Sequence, residues 1–358
     1  MSEGFRVGVV GATGAVGREL LGILESRRFP VKELVLFASS RSEGRSISWG
    51  GKAHRCQALK KGCFEGRQIV FFDASDSVSK EWVPQAAQSG AWVVDNSATF
   101  RLEEDILLIV PEVNGILLQN QLQSQPMNLL SWRKRVVTGP NCVAAPLAVV
   151  LKPILDRWGL KRVVLSTYQS TSGAGSAAME ELSKQTVGMF NQSILAAKVF
   201  PHQIAFNCIP HIGGFKPDGA TSEELKVIDE TRKLLASPGL RISVTAIRVP
   251  TFSCHGESVN LELEKPYDQI EQVREALQGQ AGLIVQDDPK KNIYPMGLAS
   301  SDDGVESSTG RDAVYVGRIR RDPSVESGVN LWLVSDNLRK GAALNAVQLG
   351  EAVIKAFH

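Results

Sequence analysis

The sequence predicts an α/β protein. An N-terminal Rossmann-type doubly wound sheet is followed by a mixed α+β domain, and a C-terminal helix returns to the first domain. Three observations predict this. Short apolar runs alternate with helical spacers over the first third of the chain, as a parallel sheet covered on both faces requires. The glycine-rich turn "GATGAVG" joins the first such run to a helix. After Cys142 the pattern changes to strand-like segments, several of them alternating, interspersed with amphipathic helices.

Taken in order, "FRVGVVG" reads as a buried strand. "GAVGRELLGILESR" follows as a helix with Leu20, Leu21 and Leu24 on one face. "ELVLFAS" is the second strand, and "RQIVFFDAS" and "AWVVDNS" flank the helix "VSKEWVPQAAQS". "LLIVPEVN" and "RVVTGPN" complete the first sheet, while the polar, aperiodic "NQLQSQPMNLLSWRKR" reads as a surface loop. Beyond Cys142, "APLAVVLKPILDRWG" is a helix stopped by Gly159. "KRVVLSTYQS" is a strand and "GSAAMEELSKQTVGMFNQ" a helix; "RISVTAIRVP", "ESVNLELE", "AVYVGRIRRD" and "GVNLWLVSDN" supply four more strands. "KGAALNAVQLGEAVIKAF" is the amphipathic helix that packs back on the first domain. The expected division is residues 1–141, completed by 338–358, and residues 142–337.

Bulk properties exclude several functions. With 358 residues, 43% of them hydrophobic and 22% charged, the chain is globular and long enough for two cores. A net charge of +2 argues against nucleic acid as a partner. No apolar run reaches the roughly 18 residues that span a bilayer, and "MSEGFRVGVVG" carries no secretory signal. Five cysteines without metal-type spacing fit reduced thiols in a cytoplasm and give no reason to expect a metal.

Gly11, Gly14 and Gly17 stand at the first strand–helix junction, where backbone N–H groups can approach a pyrophosphate. The second strand ends in Ser39, Ser40, Arg41 and Ser42, where an NAD enzyme normally carries an acid. An arginine among hydroxyls suits a 2′-phosphate, so NADP is the expected cofactor.

A reactive cysteine needs a lowered pKa or a partner that takes its proton. Cys142, in "TGPNCVAAPL", begins a helix whose dipole favours the thiolate. Cys56 and Cys63 fall in a polar region and Cys208 reads as buried, but Cys254, immediately before His255, remains a rival.

Here the chain resembles the bacterial aspartate-semialdehyde dehydrogenases over nearly its whole length. The resemblance rests on "GATGAVG", "ASSRSEG", "VVDNSATFR", "VPEVN", "GPNC", "STYQSTSGAG", "FNCIPHIGGF", "TSEELK", "RVPTFSCHGESVN" and "DNLRKGAALNAVQ". It implies Cys142 as the acyl-forming nucleophile, His255 as the acid/base group that takes the thiol proton and later returns one, and Gln169 as the residue orienting substrate and thiol. It implies Arg248 for the substrate carboxylate, Glu223 for its amino group, and Arg101 with Lys226 for phosphate. Cofactor contacts are implied at Gly11, Thr13, Gly14, Ala15, Val16, Gly17, Ser40, Arg41, Ser42, Ser172, Gly173 and Asn337. The implied reaction is the NADP-dependent reductive dephosphorylation of L-aspartyl 4-phosphate to the semialdehyde through a Cys142 thioester. That step serves lysine, threonine, methionine and diaminopimelate biosynthesis. The implied assembly is a homodimer or homotetramer.

Two alternatives stay open: another acyl-phosphate reductase, such as N-acetyl-γ-glutamyl-phosphate reductase, or a non-enzymatic paralogue. An acetylated amine has no use for the Glu223 carboxylate, and a paralogue has no reason to retain nucleophile, base and clamp together. The chain departs from the family at Val143, where a hydroxyl is usual, and at Cys254, where glycine is usual. It departs again in "FFDASDSVS", which replaces a more glycine-rich loop.

Overall fold

The computed structural model describes residues 4–124, 126, 129–193, 195–300 and 304–356. The chain forms two compact units, Met1–Asn141 with Ala342–His358, and Cys142–Gly341.

The first unit is built on a six-stranded parallel sheet. In chain order its strands are β1 (Phe5–Val10), β2 (Val31–Phe37), β5 (Ile69–Phe72), β6 (Trp92–Asp95), β7 (Leu107–Leu108) and β8 (Val136–Thr138), in the spatial order β2-β1-β5-β6-β8-β7. Alternate side chains feed two cores, as burial on both faces demands. Val7, Val9, Ile69 and Phe71 join Leu20, Leu24, Leu344 and Val347 on one side. Val10, Val70 and Phe72 join Val83, Ala86 and Ala87 on the other. Helix α1 (Ala15–Ser26) and the terminal helix α8 (Leu344–Lys355) share the first core; α2 (Asp76–Gln88) covers the second. The returning terminal helix is thus present, packed against α1, α3 (Pro111–Gln123) and β6.

Three details depart from the sequence reading. "PEVN" opens α3 instead of finishing a strand, leaving β7 only two residues, because Pro111 at the first helical position is already set for a helix. Residues 120–123, read as loop, close the same helix, since Leu118 and Leu122 lie one turn apart and both are buried. The rest of that stretch lies partly outside the described residues, although 132–135 form a 3₁₀ turn. A small hairpin, β3 (Ser46–Trp49) with β4 (Lys52–Arg55), was not anticipated: its strands are too short for a period to register.

The second unit holds a six-stranded mixed sheet. Its strands β9 (Leu160–Gln169), β10 (Arg241–Arg248), β11 (His255–Leu263), β12 (Leu283–Val285), β13 (Val314–Asp322) and β14 (Gly328–Ser335) lie in the order β10-β9-β11-β14-β13-β12. Helix α4 (Ala144–Trp158) packs against β13, β14, α6 (Ser222–Leu234) and α7 (Ile270–Gln278), and α6 also packs on β10. Gly159 ends α4 at φ 73°, the left-handed stop its position predicts. Helix α5 (Ser176–Phe190) follows β9 after a short 3₁₀ turn.

Candidate active site

Strand register assembles the site. Arg248 of β10 pairs with Gln169 of β9, Gln169 with His255 of β11, and His255 with Ser335 of β14. Residues in one register row share a face, so four polar side chains stand abreast at the ends of four strands. All four are buried. Residues one position away, Tyr168, Gly256 and Val334, belong to the opposite face.

Cys142 stands two residues before α4 and is half-buried. Val143 stands at the N-cap and its own side chain supplies no cap, as expected where a hydroxyl is replaced. Arg248 is 5% exposed. Burial pushes its guanidinium pKa down, while the negative charges of Cys142 and Glu223 push it up. The guanidinium is thus within electrostatic range of both the thiol and an acid, and Nη1 is anchored 2.6 Å from the Ser170 carbonyl oxygen. Removing one member of a buried charge group costs about 3–5 kcal/mol, because the rest stays desolvated without a counterion.

Gln169 is held at both ends. Its amide nitrogen donates to Glu223 Oε1 at 3.2 Å, and its oxygen accepts from the Thr167 hydroxyl at 3.1 Å. Glu223 and Lys226 share one face of the first turn of α6, which begins with a complete capping box from Thr221 and Glu224. Glu224 is committed to the fold, accepting from the backbone of Thr221 and Ala246.

His255 is fully buried. Its Nδ1 accepts the Ser170 backbone N–H at 3.1 Å. Burial, with the Arg248 charge beside it, drives its pKa down to about 3. Nε2 has no partner. A Cβ built on Gly173 would lie 3.2 Å from that Nε2 and 3.0 Å from Arg248 Nη1. Glycine there keeps open the space above both groups. Ser172 and Asn337 are hydrogen-bonded to each other, and Asn337 also accepts from Ser170.

Cys254 does not compete as a nucleophile. It is buried against the Thr309 hydroxyl, and burial pushes its thiol up to about 12. Its φ of 65° is left-handed, a conformation that favours the glycine usual in the family. Cys208 is exposed rather than buried, a further departure from the sequence reading.

In the first unit the glycine turn follows β1. Gly11 has φ 85°, and a Cβ there would lie 1.8 Å from the Asp73 carbonyl oxygen; on Gly17 it would lie 2.3 Å from the Gly11 carbonyl oxygen. A cradle that excludes side chains at the N-terminus of α1 fits a dinucleotide pyrophosphate. Thr13 completes the turn, and Ala15 and Val16 open the helix. Ser40, Arg41 and Ser42 form a 3₁₀ turn just after β2, with Ser40 and Arg41 exposed. Asp73, in the loop that departs from the family, accepts the Gly17 N–H, and burial raises its carboxyl to about 7, with Asp95 contributing. Arg101 also lies in this unit, buried, and donates to the Asn96 carbonyl at 2.6 Å. It therefore belongs to a different unit from Lys226.

The sequence reading missed three contributors. Thr167 positions Gln169; its signal was a second polar residue on the same strand face as Gln169. Ser170 binds both the histidine and the arginine through its peptide groups, which no side-chain pattern reports. Gly341, where a Cβ would lie 2.8 Å from the Cys142 Cβ, was visible only as part of a motif without a role. Among the described residues no group of His, Cys, Asp or Glu is arranged to hold a metal ion.

Residues 6–121 match the family model of the semialdehyde dehydrogenase NAD binding domain, and residues 151–340 that of the semialdehyde dehydrogenase dimerisation domain. The aspartate-semialdehyde dehydrogenase of Aquifex aeolicus is 45% identical over 355 residues, covering 98% of each chain. The chain belongs to the aspartate-semialdehyde dehydrogenase family. The Bacillus subtilis enzyme is 38% identical, with 99% of each chain covered. The crystal structure of aspartate semialdehyde dehydrogenase II from Vibrio cholerae, complexed with ASA, superposes with a TM-score of 0.90 at 39% identity over 100% of both chains. Membership accounts for the division into a nucleotide-binding and a dimerisation domain.

Proposed function

We infer that this enzyme reduces L-aspartyl 4-phosphate to L-aspartate 4-semialdehyde, releasing phosphate, as a step in lysine, threonine and methionine biosynthesis. The observation that carries this reading is the register row of Arg248, Gln169 and His255, with Cys142 and Glu223 within electrostatic range of Arg248. A guanidinium and a carboxylate on either side of a thiol complement a substrate that carries a carboxylate and an ammonium beside its reacting carbon.

Cys142 attacks the acyl phosphate carbon, the carbon–oxygen bond to phosphate breaks, and a thioester forms. Arg248 grips the substrate carboxylate, Glu223 meets the ammonium, and Gln169, pinned by Thr167 and Glu223, holds the reacting carbonyl in line. Lys226 and Arg101 take the phosphate. The nicotinamide cofactor supplies a hydride when bound, and collapse of the resulting Cys142 thiohemiacetal frees the aldehyde and restores the thiolate. Gly11, Thr13, Gly14, Ala15, Val16 and Gly17 would hold its pyrophosphate, and Ser172, Gly173 and Asn337 its nicotinamide half. The Ser40–Arg41–Ser42 turn supports NADP over NAD, through a 2′-phosphate on the arginine fork. Residues 1–141 with 338–358 serve the cofactor, and residues 142–337 serve catalysis and dimerisation.

The assembly we propose is a homodimer or a pair of such dimers. It is supported by an apolar groove of about 640 Å³ on the second sheet's other face, lined by Tyr168, Phe252, Met296, Leu298 and Trp332. Free cysteines fit a cytoplasmic setting, and among the described residues no helix is long and apolar enough to cross a membrane.

The test is an assay of purified protein with aspartate semialdehyde, phosphate and either nicotinamide. Phosphate-dependent reduction of NADP, faster than that of NAD, is expected. Turnover that requires an acetylated substrate would replace the substrate reading, and equal rates with the two nicotinamides would remove the role given to Arg41.

A further inference from the structure

Three carboxyl groups stand at the strand ends beside the glycine turn: Asp73 after β5, Asp76 at the start of α2 and Asp95 at the end of β6. Two are wired into the fold. Asp95 accepts from the Ser79 hydroxyl at 2.9 Å and from the Ser97 N–H and hydroxyl at 3.0 and 2.7 Å. Asp76 accepts the Ala98 N–H at 2.9 Å. Asp73 takes its hydrogen bond from elsewhere, the backbone N–H of Gly17 in the first turn of α1. A Cβ on Gly14 would lie 3.8 Å from its Oδ2, and its carbonyl oxygen is what bars a side chain from Gly11. Asp73 therefore closes the glycine cradle from the β5 side. Its carboxyl shares the helix-start donors that a pyrophosphate would use, and Gly14, at the N-cap, has no side chain to offer them.

An acid in that place opposes a pyrophosphate when charged and assists it when neutral. As a carboxylate it sets one more negative charge beside those of the phosphates; as a carboxylic acid it has an O–H to give to a phosphate oxygen. The surroundings favour the neutral form. Burial and the Asp95 charge on β6, against the pull of the Gly17 N–H, bring the carboxyl to about 7. On the other elements around it, Arg18 of α1 donates to the Thr13 carbonyl oxygen, and Asp76 of α2 is held by Ala98. Arg101, beyond β6, acts on Asp95.

We propose that Asp73 is a cofactor-binding residue that serves the dinucleotide as a neutral acid, donating its O–H to the pyrophosphate, so that cofactor binding takes up one proton from solvent. This rests on the nucleotide-binding reading of the glycine turn and deepens it. It is particular to this chain, because Asp73 lies in "FFDASDSVS", the loop that departs from the family. The sign follows from linkage. Below about pH 7 Asp73 is already protonated in the free protein, and affinity does not vary with pH through this group. Above it the proton must be gained on binding. Affinity then falls by as much as about tenfold per unit until the carboxyl of the complex ionises too.

Calorimetry of NADP and of NAD binding to the full-length protein, without substrate, tests this. Titrations at about pH 8 in Hepes and in Tris, whose ionisation enthalpies differ, count the protons taken up. The wild type should take up close to one proton more than Asp73→Asn, and its Kd should rise about tenfold or more from pH 7 to pH 9. Asp73→Asn and Asp73→Ser cannot ionise at this position. Both should lack that rise and bind about tenfold or more tightly than the wild type at pH 9. The 2′-phosphate of NADP titrates at about pH 6 in wild type and variants alike, so their difference cancels it. Equal proton uptake in wild type and Asp73→Asn overturns the proposal. So does weaker binding by both variants at pH 9, the mark of a residue that only caps α1. A wild-type affinity that does not change with pH removes this proposal alone, whereas binding of neither dinucleotide even at pH 6 removes the nucleotide reading of the glycine turn and this proposal with it.

Discussion

The two sheets invite comparison. The sheet of the first unit is all parallel, with a core on each face, and its strands are almost continuously apolar. Its chemistry is confined to the loops beyond the strand ends: the glycine turn after β1, Asp73 after β5 and the Ser40–Ser42 turn after β2. The sheet of the second unit is mixed. One face carries the buried polar row and lies with α4 and α6; the other exposes Tyr168, at 38%, beside Trp332 in an apolar groove. A sheet apolar on both faces positions backbone, and backbone binds phosphate well. A sheet with two unlike faces positions side chains, which acyl chemistry needs, and leaves its remaining face for the second protein surface we propose.

The comparison can be broken by separating the two activities. The largest effect is expected for Cys142→Ala, which should lower turnover at least about 10⁴-fold while NADP still binds. If dinucleotide binding measured by calorimetry disappeared as well, the functions would not be divided between the units as we propose. Gly341→Ala places a methyl 2.8 Å from the Cys142 Cβ. A displacement of the nucleophile by about 1 Å should reduce kcat roughly 10²-fold with little change in the cofactor's affinity. An unaltered kcat would show that the nucleophile loop adapts.

Stability should also separate the sheets. Asp73 titrates near 7 in the fold and in the ordinary carboxylate range when unfolded, so the folded chain binds the extra proton between about pH 4 and about pH 7. The stability is present below that window and lost as pH rises through it. Asp73→Asn should therefore stabilise the protein at pH 8 by as much as about 4 kcal/mol and have almost no effect at pH 4. A gain of the same size at both pH values would assign the effect to something other than ionisation. Trp332→Ala should cost about 3 kcal/mol, part of it as dissociation of the dimer at micromolar concentration in sedimentation. Unchanged sedimentation would move the interface off this face. Smallest is Lys226→Ala, with an expected increase of about tenfold in the KM for phosphate and little change in that for aldehyde. Equal changes in both would remove its assignment to phosphate.

Much of the first unit was legible in the sequence, because apolar runs, helical periods and a glycine turn are local signals. Its errors were local too: α3 began where Pro111 allowed it, and a hairpin of two four-residue strands was too short to show a period. Within the second unit the candidates came from the family resemblance, and register brings Gln169, Arg248 and His255 into one row. What the chain gives no sign of is how they are wired. Thr167 on the same strand face and Glu223 from α6 restrain the two ends of the Gln169 amide, and a serine peptide orients the histidine.

The sequence by itself determined the fold class, the alternation of strands and helices in the first unit and the glycine-rich turn. These follow from periods of two and 3.6 residues and from side-chain chemistry, both of which are carried by neighbours along the chain. The tertiary structure decided which thiol burial holds protonated, which carboxyl takes a proton near neutrality and how far burial lowers the basicity of His255. Those depend on burial and on donors contributed by distant segments, and desolvation is a property of the packed site that no single stretch of sequence contains.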